Sequence, residues 1–169
     1  MNEEIETKDK RIVFMRAVYD WASLSKDPRS HIGAVIVKND IQVSCGYNNF
    51  PRGVKDYVSR YNDRPTKLLF VEHGERNAIF NAAREGISTL GATIYTQSMP
   101  CHECMKAIIN SGIIKIVLHK QWEDFNQNNH WTDSCSMANT MREEANIFVE
   151  YLDCVLGVNG LWGGKVIYV

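Results

Sequence analysis

Two short stretches, His73-Gly74-Glu75 and Pro100-Cys101-His102-Glu103-Cys104, are chemically useful only where the chain brings them together. That requirement narrows the folds open to it. Together they offer one imidazole, two thiolates and one carboxylate. An imidazole with two thiolates suits zinc and leaves a fourth tetrahedral position open. Cys101 and Cys104 stand at i and i+3 and share a face at the start of a helix, while His73 and Glu75 fall in the first turn of an earlier one. Both helix N-termini favour anions, thiolates among them.

Other uses of these residues are weaker. A redox pair at Cys101 and Cys104 has no need of His73 and Glu75 upstream. A structural zinc would be closed by a fourth ligand, for which Cys45, Cys135 and Cys154 are the sequence candidates; otherwise these three read as small buried apolar residues. His102 and Glu103 are read as pointing away from the metal. Glu75 as a plain first-turn carboxylate is the remaining alternative, since acids are favoured there anyway.

The 169 residues, 44% of them hydrophobic, predict one domain over 1–169 with a core over about 10–152 and a C-terminal extension over 153–169. A net charge of −1 gives no general attraction for nucleic acid or anionic membrane. No apolar run reaches the length of a membrane span, and the polar start MNEEIETKDKR is not a secretory signal. The chain therefore reads as cytoplasmic, where a Cys-x-x-Cys pair in a set of five cysteines is a metal or redox site and not a disulfide.

Apolar periodicity predicts a helix from about Lys10 to Leu24, a hairpin of His31–Val37 with Ile41–Tyr47, and a long connection over 48–67 with some helix. Five arginines and lysines alternate with aromatic residues in that connection, and it reads either as a solvated loop or as an anion-binding one. Helices follow at about Val71–Arg84, Cys101–Asn110 and Thr132–Ala145. Strands are predicted at Ala92–Gln97, Ile113–Leu118 and Ile147–Leu152, with a polar loop over Lys120–His130. Residues Cys154 to Val169 read as an edge strand or as an extension docked on another subunit. Such alternation implies a mixed α/β sheet with helices on its faces.

These parts predict hydrolytic deamination. Zinc lowers the pKa of a water, Glu75 takes its proton, and the attacked atom is an amidine-like carbon such as C4 of cytosine. His-x-Glu followed by Pro-Cys-x-x-Cys is the zinc nucleobase deaminase signature.

His73-Gly-Glu75-Arg-Asn-Ala-Ile, Pro100 to Cys104, Ser25-Lys26-Asp27-Pro28, Ile32 to Val37, Gly46 to Gly53 and Ser111-Gly-Ile-Ile together carry a resemblance. The chain resembles the cytidine and deoxycytidylate deaminase superfamily, and within it the dCMP deaminase branch, from about Ser25 to Val117 and more loosely to Leu152. The resemblance implies a three-layer α/β/α cytidine-deaminase-like fold with a five-stranded mixed sheet, and conversion of dCMP to dUMP and ammonia for thymidylate synthesis. It makes Glu75 the general acid/base and His73, Cys101 and Cys104 the ligands of one zinc.

It also makes Asn48 a substrate contact, and Trp122 the counterpart of a substrate-contacting tyrosine. Lys26 and Arg29, just ahead of the strand that borders the site in relatives, are the candidates for holding the 5′-phosphate. Activation by dCTP and inhibition by dTTP, with Mg2+ accompanying the triphosphate, would act through Asn49, Arg52 and Gly53. A homo-oligomer, commonly a hexamer, is implied too. Gly74 replaces a usual alanine and is expected to widen the pocket slightly, which admits a 5-substituted cytosine nucleotide. Asn49 replaces a usual glycine in the effector loop. The competing readings are a nucleoside or nucleic-acid deaminase with the same zinc chemistry, and a non-catalytic dNTP-sensing subunit.

Overall fold

The computed structural model describes residues 9–126 and 132–169. One side of its sheet is a hairpin of β1 (Gly33–Lys38) and β2 (Ile41–Tyr47), with β2 at the edge. Asn39 and Asp40 turn it with φ of 52° and 60°, the left-handed values that a two-residue hairpin turn demands. Strands β3 (Thr93–Thr96), β4 (Lys115–His119) and β5 (Phe148–Leu152) complete a five-stranded sheet of order β2-β1-β3-β4-β5. β1 is antiparallel to both neighbours, whereas β3, β4 and β5 run parallel.

The apolar runs in β1 and β4, and the buried Ile94 and Tyr95 of β3, follow from burial on both faces. Ala34, Ile36, Ile94, Ile116 and Leu118 face one helical layer, built from α4 (Gly74–Arg84), α5 (His102–Asn110) and α7 (Thr132–Glu144). Val35, Val37, Tyr95, Val117 and Leu152 face the other, where α1 (Lys10–Ala22) and α6 (Lys120–Asn126) lie. The fold is the expected three-layer α/β/α arrangement around a five-stranded mixed sheet. Among the described residues no helix is long and apolar enough to cross a membrane.

The helix expected within the connection after β2 is present, and two other segments differ from the sequence reading. The connection after β2 holds two short helices, α2 (Val58–Asn62) and α3 (Arg64–Phe70). Phe50 stacks on Tyr61 with ring centroids 4.2 Å apart, and this contact folds the segment back on itself. The expected polar loop over 120–130 begins as α6, and its positions 127–130 lie outside the described residues. The C-terminal extension is not an edge strand of the main sheet. It forms a separate hairpin, β6 (Asn159–Trp162) with β7 (Lys165–Tyr168), docked on its own chain. Leu156 and Val169, both 1% exposed, plug it into the α1 side of the core.

What positions the site is the close approach of α4 to the hairpin. Ser44 Oγ donates to Ala78 O at 2.7 Å, Asn77 Nδ2 to Tyr47 O at 2.8 Å and Asn81 Nδ2 to Cys45 O at 2.8 Å. Gly46 lies beneath this seam, where a Cβ would meet Ala78 N at 2.3 Å and Gly74 O at 2.4 Å. Backbone cannot yield as a flexible side chain can. Gly46→Ala should therefore cost about 1–3 kcal/mol of stability, seen as a lower urea midpoint at unchanged slope.

Candidate active site

Chain order separates the site residues, and two helix starts bring them together. His73 is the N-cap of α4 and Cys101 the N-cap of α5, each with extended backbone. Glu75 and Cys104 lie in the first turns of the same two helices. Both helices start near the carboxyl end of β3, the edge at which open α/β sheets place their ligands. Gly74 is also explained here. A Cβ on it would meet Ile32 O at 2.8 Å and the backbone of Gly33 at 3.3 Å. The missing methyl group thus lets the start of α4 press against β1 and does not widen the pocket, contrary to the sequence expectation.

His73 Nδ1 lies 3.5 Å from Cys101 Sγ and 3.5 Å from Cys104 Sγ. A nitrogen at about 2.0 Å and a sulfur at about 2.3 Å from one tetrahedral zinc stand about 3.5 Å apart, so the donor set fits this ion. Among the described residues no further histidine, cysteine or carboxylate joins the group. Cys45, Cys135 and Cys154 do not close it. His102 turns away, its Nδ1 2.7 Å from Ser134 Oγ.

Electrostatics point the same way. Hydrogen bonding from Cys104, aided by His73, outweighs burial and brings the Cys101 thiol down to about 4. The same bond and burial push the Cys104 thiol well up. Burial lowers the pKa of His73, but its bond to Cys101 and the charge of Glu75 more than offset that. Glu75 is 5% exposed, with Oε2 3.6 Å from Cys104 Sγ. Burial raises its pKa, partly countered by His73. A carboxyl group held this way can both take up and return a proton.

The cluster opens on a cavity of about 640 Å³, a size suited to a small ligand. Of the residues expected to touch substrate, Arg29 and Asn48 line it. Asn48 is also a strut: its Oδ1 accepts from Ile32 N at 2.8 Å and its Nδ2 donates to Ser30 O at 2.8 Å. Lys26 and Trp122 do not line the cavity. Lys26 pairs with Asp56 at 2.5 Å. Trp122, 1% exposed, is carried inward by α6 and packs between Tyr19 and Trp162, with ring centroids at 5.7 and 6.2 Å.

The expected effector residues sit on the neighbouring loop. Asn49 bridges Glu72 through its backbone and accepts from Tyr61 Oη at 2.8 Å. Arg52 donates to Asn81 Oδ1 at 2.8 Å, and Gly53 turns the loop with φ of 82°.

The sequence reading has Arg64 and Lys67 among the basic residues of the anion-binding alternative and Asp27 in the Ser25–Pro28 motif, but gives Trp162 and Gly163 no place at the site. Asp27 forms a buried pair with Lys67 at 2.9 Å and also accepts from Arg29 N at 2.8 Å. Arg64 and Lys67 reach the cavity from α3, and Trp162 and Gly163 from the C-terminal hairpin. Gln97, fully buried, accepts from Gly33 N at 2.7 Å and donates to His31 O at 3.0 Å, tying the carboxyl end of β3 to the same wall. The polar and aromatic content of the loops was the only available signal, and it does not say which loops meet.

The pattern described as the cytidine and deoxycytidylate deaminase zinc-binding region matches residues 8–120, so the chain belongs to that family. An uncharacterized deaminase in the luxG 3′ region of Aliivibrio fischeri is 36% identical over 130 residues, 77% of this chain and 84% of that protein. The human deoxycytidylate deaminase is 37% identical over 110 residues, 62% of this chain, and the match spans 61% of the human protein's length. Among solved structures, the cyanophage S-TIM5 dCMP deaminase in complex with dCMP and dUMP superposes with a TM-score of 0.68 at 22% identity. That match covers 87% of this chain and all of the other, a likeness of fold.

The geometry predicts about one zinc per chain on purification. His73→Ala and Cys104→Ala should each weaken zinc binding by more than the roughly 10–100-fold that losing a supporting residue costs. Cys135→Ala should leave it unchanged. Metal analysis with chelator competition reads all three.

Proposed function

We propose that this chain is a zinc-dependent hydrolytic deaminase that converts dCMP and water to dUMP and ammonia. The observation that carries the reading is the buried Glu75 carboxylate held against the His73–Cys101–Cys104 group at the base of a ligand-sized cavity. Bound through those three side chains, zinc supplies Lewis acidity that makes a water nucleophilic near neutral pH. Glu75 takes the proton of the attacking water, then returns protons to the ring nitrogen and to the departing amine of the cytosine. Burial keeps competing water from the carboxyl group, and the backbone struts from Asn48 and Gln97 fix the wall beside it.

The nucleotide as substrate is supported by charge. Arg29 and Arg64 line the cavity and have no ion-pair partner among the described residues, whereas Lys67 is neutralised by Asp27. Two guanidiniums without an ionic partner suit a phosphate. The names of the human and cyanophage relatives agree with such a substrate. In this reading the product supplies thymidylate synthesis, the chain works in the cytoplasm as a homo-oligomer such as a hexamer, and dCTP and dTTP act through the loop of Asn49, Arg52 and Gly53.

Glu75→Ala should keep fold and zinc while lowering kcat by about 10²–10⁴-fold, followed as ammonia release. Turnover that persists in the zinc-loaded variant would remove Glu75 from the mechanism. For the parent protein, kcat/KM on dCMP should exceed that on deoxycytidine and cytidine by about tenfold or more, the value of a charge-assisted contact. Equal values would sink the nucleotide reading. Adding dCTP or dTTP should change dCMP turnover, and a flat response to both would end the regulatory claim.

A further inference from the structure

The C-terminal hairpin lies beyond residues 8–120, the part of the chain that the family pattern matches, yet it forms part of the cavity wall. Three hydrogen bonds fasten it to the segment that carries Arg29: His31 N to Leu161 O at 2.9 Å, Gly164 N to Arg29 O at 2.7 Å, and Gly163 N to Ser30 Oγ at 3.2 Å. Behind it, Gly160 lies against the Trp122 ring, where a Cβ would meet the ring at 2.2 Å. Trp162 is thereby held at the cavity, half-buried, its ring crossing that of Trp122 at 74°. Apart from the His73 imidazole, which faces the two sulfurs, Trp162 is the one aromatic side chain among the residues lining the cavity.

We propose that Trp162 is a substrate-contact residue: the hairpin presents its indole as the aromatic wall on which the planar pyrimidine of a cytosine mononucleotide stacks. The inference rests on the deaminase reading above and adds a recognition element from outside the matched family region. The physical case is one of supply and demand. A pyrimidine loses water from both faces on entering a closed site, and an aromatic face recovers much of that loss. Ile32, Leu68, Val71 and Met99 offer apolar bulk but no π surface. The hydrogen bonds between the hairpin and residues 29–31 tie the segment carrying Trp162 to the one carrying Arg29, the groups proposed for base and phosphate.

The test compares Trp162→Ala, Trp162→Leu and Trp162→Phe with the parent, each zinc-loaded and checked by thermal melting, over dCMP, 5-methyl-dCMP, deoxycytidine and cytidine. Leu keeps apolar bulk against Trp122 and removes the π face, while Phe keeps both. On the best parental substrate, KM should rise about tenfold in the Ala and Leu variants with kcat within about threefold, and Phe should restore KM to within about threefold. If Trp162→Ala does not fold, the difference between Leu and Phe decides. Leu and Phe variants with equal KM, or an Ala variant with parental KM, would overturn the proposal and leave the deaminase reading intact. A parent that deaminates none of the four would overturn both.

Discussion

The structure depends on how closely one helix start can approach a sheet. α4 carries His73 and Glu75, and its first turn lies on the backbone of β1 and β2 with no side chain between. Gly46 on the strand and Gly74 on the helix each leave out the Cβ that would collide with opposing backbone. Were the helix held an ångström or two further out, the imidazole would no longer reach the sulfurs of α5 at 3.5 Å. The polar seam from Ser44, Asn77 and Asn81 then fixes the helix lengthwise, so that distance and register are both determined. The metal ligands are precise because the scaffold under them is backbone against backbone.

A second theme is the number of separate elements tied to residues 29–33. Asn48 from the end of β2, Gln97 from the end of β3, Asp27 from the preceding turn and the C-terminal hairpin all bond to this short wall. Irregular backbone beside a cavity has no ladder of its own, so its donors and acceptors must find side chains or loops. These bonds serve both stability and shape. They also carry the buried Asp27–Lys67 pair, whose aspartate accepts from Lys67 and from the backbone amides of Arg29 and Ser30. That pairing neutralises Lys67, whereas Arg29 and Arg64 line the cavity without an ion-pair partner among the described residues.

The legible and illegible parts of this protein divide along a physical line. Strands buried on both faces, such as the five consecutive buried residues of β1, announce themselves by composition. So does the donor set, since His-x-Glu and Cys-x-x-Cys at helix starts have few other uses. Trp122 and Lys26 show where reading by position stopped. Both have suitable chemistry and a suitable place in the chain, yet one faces the core between Tyr19 and Trp162 and the other pairs with Asp56. Which way a loop residue points is settled by what lies opposite it, and nothing local encodes that. Gly74 makes the same point from the other side. Its missing methyl group faces the backbone of Ile32 and Gly33, a neighbour about forty residues away in the chain.

The sequence by itself determined the layered sheet, the two helix starts and the imidazole, thiolate and carboxylate chemistry they bring. Periodicity and ligand type are local properties, written in adjacent residues. Only the tertiary structure decided that Arg64 and Lys67 from α3 and Trp162 from the last hairpin stand at the same cavity as Glu75. Those meetings are made by packing between segments distant in the chain, where no spacing rule reaches.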